Sequence, residues 1–142
     1  MKHTSINRMF FAVAFAICTI LTLPGASAEA SSIETVDGVE CLDGDLNYPV
    51  WDSGNCVASV FDISSSYIVA QNANYYYINV GGLSISRSTG EIYSNDEPVR
   101  LRYSKNDGSV ELFNRVKKQY SHISLGKQFN DAVYILFTHL GI

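Results

Sequence analysis

Alternating apolar and polar residues mark the middle of the chain as a region of short strands. In residues 57–65 apolar side chains fall on every second position, and residues 75–80 are dense in aromatic and β-branched types. Residues 99–103 alternate again, with arginines on the polar side. A period of two is typical of strands that bury one face, and clusters of turn residues separate the runs. The pattern predicts an antiparallel meander of about five strands.

Two helices are predicted after the sheet. Val110, Phe113, Val116 and Tyr120 recur at helical spacing, although the Asp-Gly pair at 107–108 leaves a hairpin open as an alternative. In residues 129–140 apolar side chains fall at i, i+3, i+4, i+7, i+8 and i+11, the stripe of an amphipathic helix. Gly141 stands where a helix C-cap belongs. Strands followed by helices predict an α+β fold, with both helices packed on one face of the sheet.

The N-terminus has the layout of a secretory signal peptide. Basic residues precede an apolar run at 9–23, and a small-x-small cleavage site follows at 26–28. The run is shorter than the roughly 20 residues of a membrane-spanning helix. We therefore expect cleavage of residues 1–28, export to the periplasm or the exterior, and a mature chain without a membrane span. The rival interpretation is an uncleaved membrane anchor.

The mature chain divides into two parts. Residues 29–40 are polar and lack aromatic side chains, which predicts a flexible lead-in. Residues 41–142 are long enough for a single α+β domain with a modest core. Cys18 leaves with the signal peptide, so Cys41 and Cys56 are the remaining cysteines. In an oxidising compartment this pair predicts one disulfide bond.

Charge is distributed unevenly along the chain, whose formal net charge is −4. Residues 29–65 contain eight acidic residues and no lysine or arginine. Such a segment repels phosphate backbones, which argues against a nucleic-acid partner. It favours a protein partner with a basic surface, although a merely solvated face has the same composition.

The segment between the two cysteines raises the question of a metal site. Asp43, Asp45 and Asn47 have the first three ligand spacings of an EF-hand loop. Tyr48 stands where that loop requires glycine, and Gly54 stands where it requires a bidentate glutamate. The EF-hand is excluded, an irregular weak cation site stays open, and no cofactor or metal is predicted.

Catalysis has little support in the sequence. The chain has no Gly-x-Ser-x-Gly, His-Glu-x-x-His or Cys-x-x-Cys motif and no phosphate-binding glycine loop. We therefore predict a protein that is not an enzyme and has no catalytic residues. An acid-dependent hydrolase that uses Asp43, Asp45 or Asp52 is kept as the last alternative.

Binding is the function that the residues favour. Tyr48 and Trp51 lie within the acidic segment, and large aromatic side chains are frequent interface anchors. The predicted contact residues are therefore Asp43, Asp45, Tyr48, Trp51 and Asp52. The most specific hypothesis is an inhibitor or immunity protein that neutralises a toxin or hydrolase. Alternatives are a core position for Trp51, and a binder of cell-envelope small molecules or glycans with its pocket on residues 75–80.

One hairpin resembles known families. The stretch GGLSISRSTGEIYS at 81–94 is similar to a hairpin of small bacterial immunity proteins from polymorphic-toxin systems, and to hairpins of PepSY-type modules. Gly90 is expected to supply the positive φ that closes the turn, with Thr89 as its cap. The families often have aspartate where this chain has Ser86. The resemblance covers fourteen residues and transfers no functional residue.

Overall fold

A computed structural model describes residues 29–122 and 126–142, and within them the chain forms nine strands and one helix. The predicted signal peptide lies outside the described residues. The elements are β1 (Ile33–Val36), β2 (Val39–Leu42), β3 (Val50–Ser53), β4 (Val57–Gln71), β5 (Tyr75–Ser86), β6 (Ile92–Ser94), β7 (Val99–Ser104), β8 (Val110–Asn114), β9 (Gln119–His122) and α1 (Gly126–Leu140). The helix has neither the length nor the apolarity of a membrane span.

Seven of the strands form one curled antiparallel sheet in the order β3-β4-β5-β7-β8-β9, with β6 paired to β5. Strand β5 is the centre of this sheet. Its first half pairs with β7 and its second half with β6, while β4 runs along its whole other side. Strands β1 and β2 form a separate hairpin. The segment 29–40, predicted as a flexible lead-in, therefore contains ordered strand.

Strand β4 bends where its register with β5 shifts, between Asp62 and Tyr67. The extra residues of such a bulge bend a strand and increase its twist. Ser65 holds the bulge closed, because its hydroxyl accepts a hydrogen bond from the amide of Gly81 and donates one to the carbonyl of Asp62, both at 2.8 Å. A Cβ atom at position 81 would lie 2.4 Å from that hydroxyl oxygen. The glycine is therefore required by the bulge opposite it.

The helix α1 supplies one side of the main core. It packs against β2, β3 and β4, and its apolar stripe meets the inward side chains of the sheet. The buried residues of this cluster are Phe61, Ile63, Ile78, Val80, Leu101, Phe129, Ala132, Val133 and Leu136. A second buried cluster of Leu42, Val50, Ala58, Val60 and Ile85 lies on the opposite face of the sheet, beside the first residues of β4. The helix thus covers one face of the sheet, the β1–β2 hairpin covers the opposite face over the second cluster, and the rest of that opposite face has no covering element among the described residues.

The predicted α+β fold with two C-terminal helices is wrong, because the described chain is mostly strand and has one helix. Residues 110–120 form the hairpin β8–β9 in place of the first helix. Their spacing fits a strand equally well, since Val110 and Leu112 pack on the main core while Phe113 pairs with Tyr120 on the other face. Tertiary pairing with β7 decides between the two patterns.

Local turn chemistry supports this hairpin. The side-chain oxygen of Asn114 accepts hydrogen bonds from the amides of Val116 and Lys117, at 3.0 and 2.9 Å. Lys118 follows with φ at 52°. An asparagine that caps its own turn reverses the chain as Asp-Gly does at hairpins. The turn at 115–118 does not interrupt the helical spacing of the apolar residues, so this spacing does not reveal that the chain reverses there.

The predicted disulfide between Cys41 and Cys56 is also wrong. Both thiols are free; Cys41 is buried in β2, and Cys56 is exposed in the turn between β3 and β4. Burial raises the pKa of the Cys41 thiol, with Asp45 and Glu34 adding to the effect. That environment disfavours the thiolate needed for disulfide exchange.

Backbone hydrogen bonds hold the intervening segment instead of a disulfide. The amide of Leu42 donates to the carbonyl of Tyr48, and the amide of Phe61 donates to the carbonyl of Pro49, each at 3.0 Å. The segment is thus attached at both ends to β2 and β4 without a covalent cross-link.

Candidate binding surface

The predicted contact residues of the acidic segment do not form a single surface of aspartates and aromatic anchors. The carboxylates of Asp43, Asp45 and Asp52 are exposed. Tyr48 is half-buried against the second cluster. Trp51 packs against the main core, with its ring 5.3 Å from that of Phe61 and nearly parallel to it. Trp51 therefore packs as a core residue, which is the alternative given for it above.

The three aspartates also have local structural partners. Asp43 accepts a hydrogen bond from the amide of Ser32 at 2.8 Å, and Asp52 accepts one from the amide of Ser53 at 2.9 Å. Asp45 accepts from both the amide and the side chain of Asn47, at 2.9 Å each. These contacts are typical of aspartates that shape turns. In the part of the chain that the structure describes, no three His, Cys, Asp or Glu side chains are grouped to hold a metal ion.

A different set of aromatic and basic side chains lies together on the face opposite the helix, in the part that the β1–β2 hairpin does not cover. Residues directly opposite one another in the ladder share a face, and the pairings Tyr77↔Arg102, Arg102↔Glu111 and Phe113↔Tyr120 join four strands. We call this set the tyrosine–arginine face. It consists of Tyr67, Tyr75, Tyr77, Asn79, Arg100, Arg102, Glu111, Phe113, Tyr120 and His122.

Arg102 is the central cation of the tyrosine–arginine face. Its guanidinium carbon lies 4.5 Å from the centre of the Tyr75 ring and 4.8 Å from that of Tyr120, within the range of cation–π contact. It also forms an ion pair of 2.5 Å with Glu111. Burial alone lowers the pKa of Arg102, but the hydrogen bond and charge of Glu111, together with Tyr77 and Tyr75, hold the pKa above its ordinary value. The pair keeps the guanidinium charged and fixed between the rings.

Tyr120 connects the remaining rings. Its ring centre lies 5.9 Å from that of Tyr77 and 5.1 Å from that of Phe113, both in edge-to-face geometry. Burial raises the pKa of the Tyr120 phenol, Tyr77 adds to this, and Arg100 and Arg102 oppose it. Its hydroxyl is therefore a neutral hydrogen-bonding group at physiological pH.

Arg100 differs from Arg102 in having no carboxylate partner within salt-bridge distance among the described residues. Its guanidinium carbon lies 5.5 Å from the centre of the Phe113 ring. The side chain is exposed and borders an open depression of about 380 Å³ on the face, lined by Val69, Ala70, Tyr77, Asn79, Arg100 and Tyr120. Tyr67 adds a phenol that is 53% exposed beside it. The face thus presents an available cation within an aromatic surface.

Sequence reasoning identified part of this face. Residues 75–80 and the arginines of 99–103 were predicted to lie on strands, whereas Phe113 and Tyr120 were assigned to a helix. Their spacing becomes informative only when β8 and β9 are read as a hairpin, because Phe113 and Tyr120 then become cross-strand neighbours.

No protein-family model matches the chain, and comparisons with curated proteins and with solved structures give no significant match. The resemblance of residues 81–94 to immunity-protein and PepSY hairpins therefore stays an expectation. In that hairpin Gly90 has φ at 70°, and its amide donates to the carbonyl of Ser86 at 2.8 Å.

Proposed function

We propose that this protein is a non-catalytic binding protein that contacts a partner protein through the tyrosine–arginine face. The observation that supports this best is the composition and packing of that face. Tyrosine and arginine are the residues most enriched at the energetic centres of protein interfaces. Here they lie side by side on a part of the sheet face that no described element covers.

Packing within the face favours a protein over a stacked base. Each of Tyr75, Tyr77 and Tyr120 already contacts another ring or a guanidinium group. Such an array loses little conformational entropy when a partner binds. Nucleic acid remains an unfavourable partner because residues 29–65 contain eight acidic residues and no lysine or arginine.

The partner is an extended, acidic segment of a protein. Arg100 supplies a cation without a carboxylate partner among the described residues, so an acidic side chain complements it. Strand β9 pairs with β8 on one side and, in the described sheet, with no strand on the other. An extended segment can add its backbone to such an edge while its side chains reach the face.

The inhibitor or immunity function stays a narrower version of this proposal. In this version the acidic segment faces a basic surface of the partner. The exposed carboxylates of Asp43, Asp45 and Asp52 support that orientation. Export, with residence in the periplasm or outside the cell, is part of the same proposal and rests on the N-terminal pattern. An acidic partner would bind the tyrosine–arginine face, whereas a basic partner would bind the acidic segment, so the charge of the partner distinguishes the two orientations.

A displayed library of random peptides, selected on the immobilised protein, tests the proposal. We expect enrichment of acidic sequences, and roughly tenfold weaker binding of the selected peptide by Arg100→Gln, equivalent to about 1.4 kcal/mol. Arg87→Gln is the matched control, because Arg87 lies in the β5–β6 turn beside Glu40 and Ser53. Tyr77→Ala should also weaken binding, whereas Tyr134→Ala, at a helix position 74% exposed, should not.

Two results would count against the proposal. Enrichment of basic peptides that bind Arg100→Gln as well as they bind the parent protein would assign binding to the acidic segment. Equal binding by Tyr77→Ala and Tyr134→Ala, with both variants folded, would remove the face from the interface.

A further inference from the structure

A cavity of about 780 Å³ opens beside the turn between β6 and β7. Its wall includes Trp51 of β3 on one side and Leu112 of β8 on another, so it lies where the two outer parts of the curled sheet approach each other. This volume is within the range of small-molecule sites. Tyr75, Tyr77 and Tyr120 do not line it. The cavity is therefore a second candidate site, which overlaps the tyrosine–arginine face at Arg100 and Phe113.

Trp51 is the large aromatic side chain of β3 in the cavity wall. Its indole Nε1 is buried and has no hydrogen-bond partner among the described residues. Phe61 covers one face of the ring, so the cavity is bounded by the other face or by the edge. This nitrogen is shielded from solvent, so Trp51 meets the open cavity through other atoms of its side chain.

The remaining wall is rich in hydrogen-bonding groups whose charges balance. Arg115 forms an ion pair of 2.7 Å with Glu97 and donates to the carbonyl of Pro98 at 2.9 Å. The ionisable residues of the wall are two arginines and two acids, Arg100, Arg115, Asp96 and Glu97. A wall with no net charge does not select a strongly anionic or cationic ligand.

Asn95 and Asn114 add amide groups to the wall. A Cβ atom at Gly82 would lie 2.6 Å from the side-chain nitrogen of Asn95, so the glycine is what allows this amide to lie close over β5. The backbone amide of Asn95 donates to the carbonyl of Gly82 at 2.9 Å. The backbone that carries this side chain is thus fixed before any ligand binds.

From these features we infer that the cavity binds a neutral carbohydrate. Adjacent sugar hydroxyls both donate and accept, and amide, carboxylate and guanidinium groups complement them. The indole supplies an apolar surface for the C–H groups of a sugar ring. The charge balance of the wall assigns the ligand to the uncharged sugars.

Fluorescence of Trp51 offers a direct assay, because it is the chain's single tryptophan. We would titrate the protein with maltotriose, cellotriose and chitotriose, with trigalacturonate as the anionic comparator. Excitation at the red edge of the indole band avoids the tyrosines, and calorimetry in parallel gives affinity. At least one neutral trisaccharide should change Trp51 emission in a saturable manner at millimolar concentration or below.

Variants connect the signal to the cavity wall. Asn95→Ala should weaken binding roughly tenfold through the lost hydrogen bond. Asn106→Ala, in the exposed turn between β7 and β8, is the matched control and should bind like the parent protein. Absence of binding by all three neutral sugars would overturn the inference. So would binding of trigalacturonate alone, heat without an emission change, or equal affinity in a folded Asn95→Ala variant.

Discussion

The ion pair between Arg102 and Glu111 should contribute measurably to stability, and the variant Glu111→Gln tests this. The two side chains are 25% and 22% exposed, with a nitrogen–oxygen distance of 2.5 Å. Exposed pairs contribute about 0–1 kcal/mol, whereas removing one partner of a buried pair costs about 3–5 kcal/mol. At this intermediate burial we expect a loss of about 2 kcal/mol in the free energy of unfolding. That corresponds to a fall in Tm of roughly 8 °C for a domain of this size.

Asp131→Asn provides the matched control. Asp131 forms an ion pair with Lys127 at the same distance of 2.5 Å, but the lysine side chain is 74% exposed. We expect a loss of less than about 0.5 kcal/mol for this helical i,i+4 pair. Urea unfolding followed by Trp51 fluorescence and circular dichroism measures both values. Equal losses in the two variants would refute the argument that burial, and not distance, sets the strength of the pair.

Two further predictions concern the backbone and pH. Gly81→Ala should destabilise the fold by about 1–3 kcal/mol, because the added Cβ would lie 2.4 Å from the Ser65 hydroxyl. An unchanged midpoint of urea unfolding would contradict this and show that the bulge relaxes freely. Asp107 should titrate with a pKa of about 2, held below its usual value by hydrogen bonds from Ser104 and Ser109. Because the folded pKa is depressed, this stabilisation is present above pH 3.8 and is lost as pH falls through about 2; a carboxyl titration by NMR that gives an ordinary value would contradict it.

Sequence periodicity was most informative where the apolar positions fit either a helix or a strand but not both. A helix is present at Gly126–Leu140, where the apolar stripe predicts one. Strands are present in the alternating region, but the structure joins neighbouring candidates into the long strands β4 and β5. The Gly-Gly pair at 81–82 reads as an interruption of β5, whereas it continues the strand opposite the bulge of β4.

Residues 110–120 were predicted incorrectly because their apolar positions fit both helix and hairpin. The choice depends on pairing with β7, which is a tertiary contact that local spacing does not contain. The cysteines illustrate the same limit. Export to an oxidising compartment predicts a disulfide bond between Cys41 and Cys56. The bond also requires a fold that places the two side chains next to each other. Here one is buried and the other exposed.

The binding surface was predictable only in part for the same reason. Aromatic density drew attention to residues 75–80, and those tyrosines do contribute to the tyrosine–arginine face. Tyr120 became part of it through the hairpin that sequence spacing concealed. The aromatic residues of the acidic segment, by contrast, pack inward on β3 and its neighbouring loop, because a small core recruits large side chains wherever they occur.

Backbone NMR during titration with the peptide selected from the displayed library tests the central claim most directly. The proposal predicts that the largest shifts occur at the amides of Tyr77, Arg100 and Tyr120, with those of Asp43 and Asp45 unchanged. Shifts confined to Asp43, Asp45 and their neighbours would contradict it and assign binding to the acidic segment.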